Sequence, residues 1–129
     1  MASPAGMSVL KLISWMDRDP NKRKKDALDI RYLIETYTKI PEIYDAVFEE
    51  GQMEKQEFDE VKASAMKLGL DASEIASKET KAYLAEKLFN NAEKLDILIR
   101  EMVGREYASS DECKNWISLY IEEFNSKNV

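Results

Sequence analysis

Lys11 and Arg18 stand seven residues apart, two helical turns, so both project from the same side of one helix. Ser14 and Trp15 lie between them on that side. Further along, Asp26 and Asp29 are three residues apart and share a face of a second helix. Joining the two is a short basic connector, Asn21-Lys22-Arg23-Lys24-Lys25. These residue types have a definite chemistry. The Lys11 ammonium is a compact charge suited to a phosphate tail, and the basic run ending at Lys25 offers a second phosphate contact. Arg18 could clamp a phosphate or pair with Asp26 or Asp29. Asp29 would orient Lys11 or Arg18 without itself reacting, and Asp26 would either do the same or cap its helix. Trp15 either stacks on a base or is buried. The plainer alternative is a solvated connector, with Asp26 a first-turn acid complementing the helix dipole.

The elements that must position these residues are helical throughout. Ser3-Pro4 opens a helix over about 4–17, which Asp19-Pro20-Asn21 ends. Its apolar residues Met7, Leu10, Leu12 and Ile13 spread round the axis, which predicts burial on more than one side. A second helix over about 22–38 buries Ala27, Ile30, Ile34 and Tyr37 and stops before Pro41. A third, over about 41–50, buries Tyr44, Val47 and Phe48 and stops at Gly51. The pattern Phe58, Val61, Ala65, Leu68 predicts a helix over about 54–68 with Gly69 as a left-handed stop. Asp71 and Glu74 are spaced as a capping pair for a short turn. Ser77 then caps the longest helix, about 78–103, whose Leu84, Leu88, Leu95, Ile99 and Met102 form one stripe. Gly104 closes it. The polar stretch 104–110 is the best candidate for a hinge, and Ser110-Asp111-Glu112 opens a last helix with Cys113, Trp116, Tyr120 and Phe124 on one face. The expectation is an all-α, single-domain bundle of about six helices spanning 1–129.

Composition narrows the function classes. With 44% hydrophobic and 34% charged residues, the chain is globular rather than disordered, and four Gly and three Pro are too few for a turn-rich β fold. A net charge of −6 argues against general nucleic-acid binding. One Cys and no His exclude a Cys-rich metal site, a histidine triad, a His-containing zinc site and a histidine-dependent ribonuclease. No Gly-x4-Gly-Lys-Ser/Thr loop occurs. The lone Cys113, the lack of an apolar run of about 18 residues and the lack of a signal-peptide pattern together point to the cytoplasm.

The run Ser3-Pro4-Ala5-Gly6, then Leu10-Lys11-Leu12-Ile13-Ser14-Trp15 with Asp17-Arg18, then Lys25-Asp26-Ala27-Leu28-Asp29-Ile30, resembles a known family. It is similar to the C-terminal half of nucleotidyltransferases of the AbiEii-like abortive-infection toxin type, in the polymerase-beta-like superfamily. That family carries a Lys, an Arg one or two turns later, then a basic residue before Asp-x-x-Asp-hydrophobic. Lys11, Arg18, Lys25, Asp26 and Asp29 match those positions. A second segment, Ala63 to Asp71 followed by Ile75-Ala76-Ser77, has Gly-Leu-Asp where the family often has Gly-Arg-Asp. The resemblance covers about residues 3–100 and is more specific in the first 35.

The resemblance implies transfer of a nucleoside monophosphate from NTP to an acceptor. The superfamily needs a Gly-Ser turn and Asp-x-Asp on a strand, because the metal ions must neutralise charge on both the attacking and leaving oxygens. Gly6-Met7 followed by Asp17-Arg18-Asp19 imitates that spacing only superficially: Met7 stands in place of Ser, and Pro20-Asn21 makes a turn. The chain therefore resembles the helical part without its catalytic core, inactive alone, with Mg²⁺ and NTP expected only where that core is present. The competing expectation is a non-enzymatic helical interaction module whose protein partner, or second copy, docks on the last two helices.

Overall fold

The computed structural model describes residues 3–104 and 109–126, and among these every regular element is helical. Eight α-helices follow in order: α1 Pro4–Asp17, α2 Lys24–Thr36, α3 Pro41–Glu49, α4 Gln52–Lys55, α5 Glu60–Ile75, α6 Lys78–Leu84, α7 Ala92–Val103 and α8 Ser110–Asn125. A 3₁₀ turn, Tyr37–Lys39, follows α2, and a π-helical segment, Ala85–Phe89, follows α6. The helix count exceeds the six expected because two long runs are divided. None of the described helices is long and apolar enough to cross a membrane.

Most helix starts are written locally. Ser3 accepts from the Gly6 N–H at 3.1 Å with Pro4 in the first turn, Asp59 caps α5, Ser77 caps α6 and Asn91 caps α7. Ser109 and Glu112 form a reciprocal capping box on α8. The segment 105–108, in the middle of the expected hinge, lies outside the described residues.

One large apolar cluster joins α1, α2, α5, α7 and α8 around Leu12, Trp15, Ile30, Ile34, Leu68, Leu98, Ile117, Tyr120 and Phe124. α5 and α8 share the longest contact, α1 lies on α2 and α5, and α2 lies on α7. The α8 aromatic face is core: Trp116, Tyr120 and Phe124 are all buried, and Phe124 meets Phe89 edge-on at 5.6 Å. That face is not free to receive a partner.

Several sequence expectations change in three dimensions. α1 buries one side only, through Ala5, Val9, Leu12 and Trp15, and leaves Leu10 exposed. Gly69 does not stop a helix but sits inside α5, where a Cβ would come within 2.3 Å of the Tyr120 carbonyl oxygen. Close approach of the α8 backbone is what requires glycine there. Asp71 and Glu74 consequently lie in the C-terminal part of α5 rather than forming a capping pair at a helix start. The expected helix over 54–68 breaks at 56–59, where Glu57 and Phe58 take left-handed φ values of 53° and 65°. Such values cost on the order of 1 kcal/mol per non-glycine residue. The expected helix over 78–103 breaks at Asn90-Asn91 after the π turn, which brings Leu84, Leu88 and Phe89 all toward the core. Tyr44, Phe48 and Phe58, expected inside, are exposed.

Candidate functional site

The cation-bearing face of α1 and the acidic face of α2 meet, because the short connector returns α2 alongside α1. Lys11 Nζ lies 2.8 Å from Asp29 Oδ2 and 3.5 Å from Asp26 Oδ1. Arg18 Nε lies 3.5 Å from Asp26 Oδ2, which also accepts the Ser14 hydroxyl at 3.0 Å. Asp26 is fully buried, and the Lys11 ammonium 3.5 Å from its Oδ1 is the charge that compensates it on that side. The hydrogen bond that Lys11 donates to Asp29 raises its pKa above the usual 10.5 against the opposing effect of burial, and the charges of both carboxylates add to the rise. Lys11 is therefore a protonated ammonium at neutral pH, held at two points, with 23% of its side chain still open to solvent.

The structure brings Lys11, Arg18, Asp26 and Asp29 together, and it leaves two expected site residues outside. Lys25 is exposed at the start of α2, about 100° round the helix from Asp26. Trp15 is fully buried, so no face of its ring is open to a base, which corrects the stacking role. Its Nε1 donates to Glu101 Oε1 at 2.8 Å, and the Arg23 guanidinium lies 4.7 Å from the ring centre while its Nε also reaches Glu101 at 3.2 Å. Arg23 thus belongs to a bolt between the connector and α7. The basic run is less free for phosphate than its composition suggests.

The described residues do not fit a Mg²⁺ site here. Asp26 and Asp29 are each engaged by a cation of the chain itself, whereas Mg²⁺ demands oxygens arranged around it in near-octahedral order.

A second polar cluster went unread in the sequence. Lys67, nearly buried, reaches Glu50 at 2.9 Å and Asp71 at 3.1 Å, and the Tyr37 hydroxyl donates to Asp71. Burial works against the Lys67 charge, but the Glu50 and Asp71 hydrogen bonds prevail and its pKa rises. The i,i+4 spacing of Lys67 and Asp71 was the available signal, hidden by placing a helix stop at Gly69. Arg31, also buried, donates to the Met102 and Val103 carbonyls and so satisfies the end of α7.

No protein-family model, curated protein or solved structure matches this chain.

Proposed function

We propose that this chain is the helical part of a nucleotidyltransferase, which assists NTP binding and acceptor selection for nucleoside monophosphate transfer and is inactive by itself. The observation that carries the reading is the held ammonium: Lys11 fixed by Asp29 and Asp26, yet still partly exposed. A pre-positioned cation at the rim of a helical layer suits the phosphate tail of a nucleotide bound by a neighbouring catalytic core. Asp29 and Asp26 position that ammonium, and Ser14 and Arg18 fix Asp26 in turn. The gathering of Lys11, Arg18, Asp26 and Asp29, the positions that resemble the abortive-infection nucleotidyltransferases, supports the same reading.

The test extends the reading frame upstream of Met1 and assays transfer from radiolabelled ATP with Mg²⁺. The 129-residue chain alone is expected to transfer nothing. The extended polypeptide, carrying Gly-Ser and Asp-x-Asp, is expected to be active. Lys11→Ala should then lower turnover by roughly 100-fold with helicity unchanged. Undiminished turnover in Lys11→Ala, or a frame with no such core, overturns the reading.

A further inference from the structure

α3 is a helix of nine residues whose one fully buried side chain is Val47, with Ile43 half-buried against the main core. Val47 joins only Met53 and Ala63 in a satellite cluster apart from the main core. On the outer side of this edge three aromatic rings stand in solvent: Tyr44 at 41%, Phe48 at 45% and Phe58 at 66% exposure. They form a row, with Tyr44 edge-on to Phe48 at 5.2 Å and Phe48 tilted against Phe58 at 6.4 Å. Phe58 is displayed by a left-handed backbone that three main-chain hydrogen bonds hold in place: Glu57 N–H to Glu54, Phe58 N–H to Met53 and Asp59 N–H to Gln56. A short helix with so little buried surface gains little from its own packing, and a strained turn that exposes a Phe is retained against its cost.

Charge says what covers the row. Residues 41–60 hold eight acidic residues and one Lys, a net of −7, whereas the whole chain has −6. The rest of the molecule is therefore close to neutral; Glu50 is paired with Lys67 and Glu60 with Lys39, so the negative charge beside the rings is carried by the exposed acids of this segment. Asp45, Glu49, Glu57 and Asp59 are all exposed and each adjoins one of the three rings in sequence.

We propose that the Tyr44–Phe48–Phe58 row docks a basic amphipathic segment of a partner protein, its apolar residues on the rings and its Lys or Arg side chains on the acidic rim. An apolar centre with a charged, wetted rim is the anatomy of a protein interface, and oppositely charged rims steer the encounter. Single-stranded nucleic acid also stacks on aromatic rows, but its phosphates would face this rim with like charge. A two-fold pairing of two copies through the row would set acid against acid. The site is separate from the Lys11 cluster, so it stands whether or not the chain assists nucleotide transfer.

The test titrates the protein with a fluorescein-labelled helical peptide of lysine and leucine, the leucines on one face, and reads anisotropy. The same peptide with glutamate for lysine and a labelled oligo(dT) serve as comparisons. Expected are binding of the basic peptide alone and weakening by about tenfold or more in Phe48→Ala and in Phe58→Gly. The glycine variant keeps the left-handed backbone and removes only the ring. Glu49→Gln with Glu57→Gln should weaken binding several-fold, while Glu86→Gln with Glu93→Gln, at exposed sites remote in sequence from the row, should not. Equal binding by the ring variants, equal loss from the remote pair, oligo(dT) binding, or dimerisation that masks the row would each overturn the proposal.

Discussion

Asp26 and Asp29 look equivalent by type, yet their surroundings differ enough to separate them energetically. Asp26 has no solvent, one hydroxyl donor and two cations beside it; the Asp29 side chain is 35% exposed and meets one ammonium. Removing the buried partner deprives the Ser14 hydroxyl of its acceptor and both Lys11 and Arg18 of their inner carboxylate, whereas removing the outer one lets water replace it. Asp26→Ala is therefore expected to cost about 2–3 kcal/mol and Asp29→Ala less than about 1 kcal/mol. Urea denaturation of both variants measures the gap, and equal costs would show that Asp26 is not the buried centre of the cluster. The three-residue spacing made it legible that the two acids share a face. Which of them turns inward depends on how α1 lies across α2, and a spacing carries no information about that. Trp15 illustrates the same limit: the position was legible, but Glu101, which engages its indole N–H, comes from 86 residues away.

At the scale of elements, a glycine in a helical pattern has two readings with opposite consequences. If Gly69 ended a helix, its replacement would strain a left-handed turn. Inside α5, alanine is intrinsically better for the helix by about 1 kcal/mol. The α8 backbone decides the outcome, since the added methyl would meet the Tyr120 carbonyl oxygen at 2.3 Å, against main chain that cannot swing away like a flexible side chain. Gly69→Ala is expected to lose about 3 kcal/mol net, roughly 10 °C in Tm, as α5 and α8 are pushed apart. A thermal melt followed by circular dichroism reads it, and an unchanged or raised Tm would mean that α8 does not cross there. Starts were legible where a cap is local, as at Ser3, Ser77 and the last helix. The breaks at 56–59 and 85–91 were not, because the π turn and the left-handed pair answer to tertiary contacts rather than to periodicity. For the same reason Tyr44, Phe48 and Phe58 read as core: apolar spacing says that a face is sticky and leaves open what covers it.

Across the whole molecule, the groups that titrate at high pH are tuned in one direction. Asp29 raises Lys11, the Glu50 and Asp71 hydrogen bonds raise Lys67 over its burial, and burial raises both Tyr37 and Tyr120 above 10.0, Asp71 adding to the effect on Tyr37. A raised folded-state pKa means that the unfolded chain releases its proton first as pH climbs. The stabilisation is thus complete below the unfolded values, 10.0 for Tyr and 10.5 for Lys, and disappears as pH rises beyond them. Burial raises the Cys113 thiol above 9.0 as well, so unfolding free energy should hold from pH 7 to about 8, decline as the unfolded chain releases that proton, and fall steeply beyond about 9.5, each Tyr contributing a slope that approaches about 1.4 kcal/mol per pH unit. Tyr37→Phe isolates one share. It removes a titrating hydroxyl and one hydrogen bond to Asp71, so the variant should be less stable at pH 7 and lose stability more gently between pH 10 and 11.5. Urea midpoints at those pH values distinguish the two effects. An identical alkaline slope in wild type and Tyr37→Phe would mean that Tyr37 ionises in the folded protein as it does in water, and that the Lys67–Asp71–Tyr37 cluster is looser than its geometry.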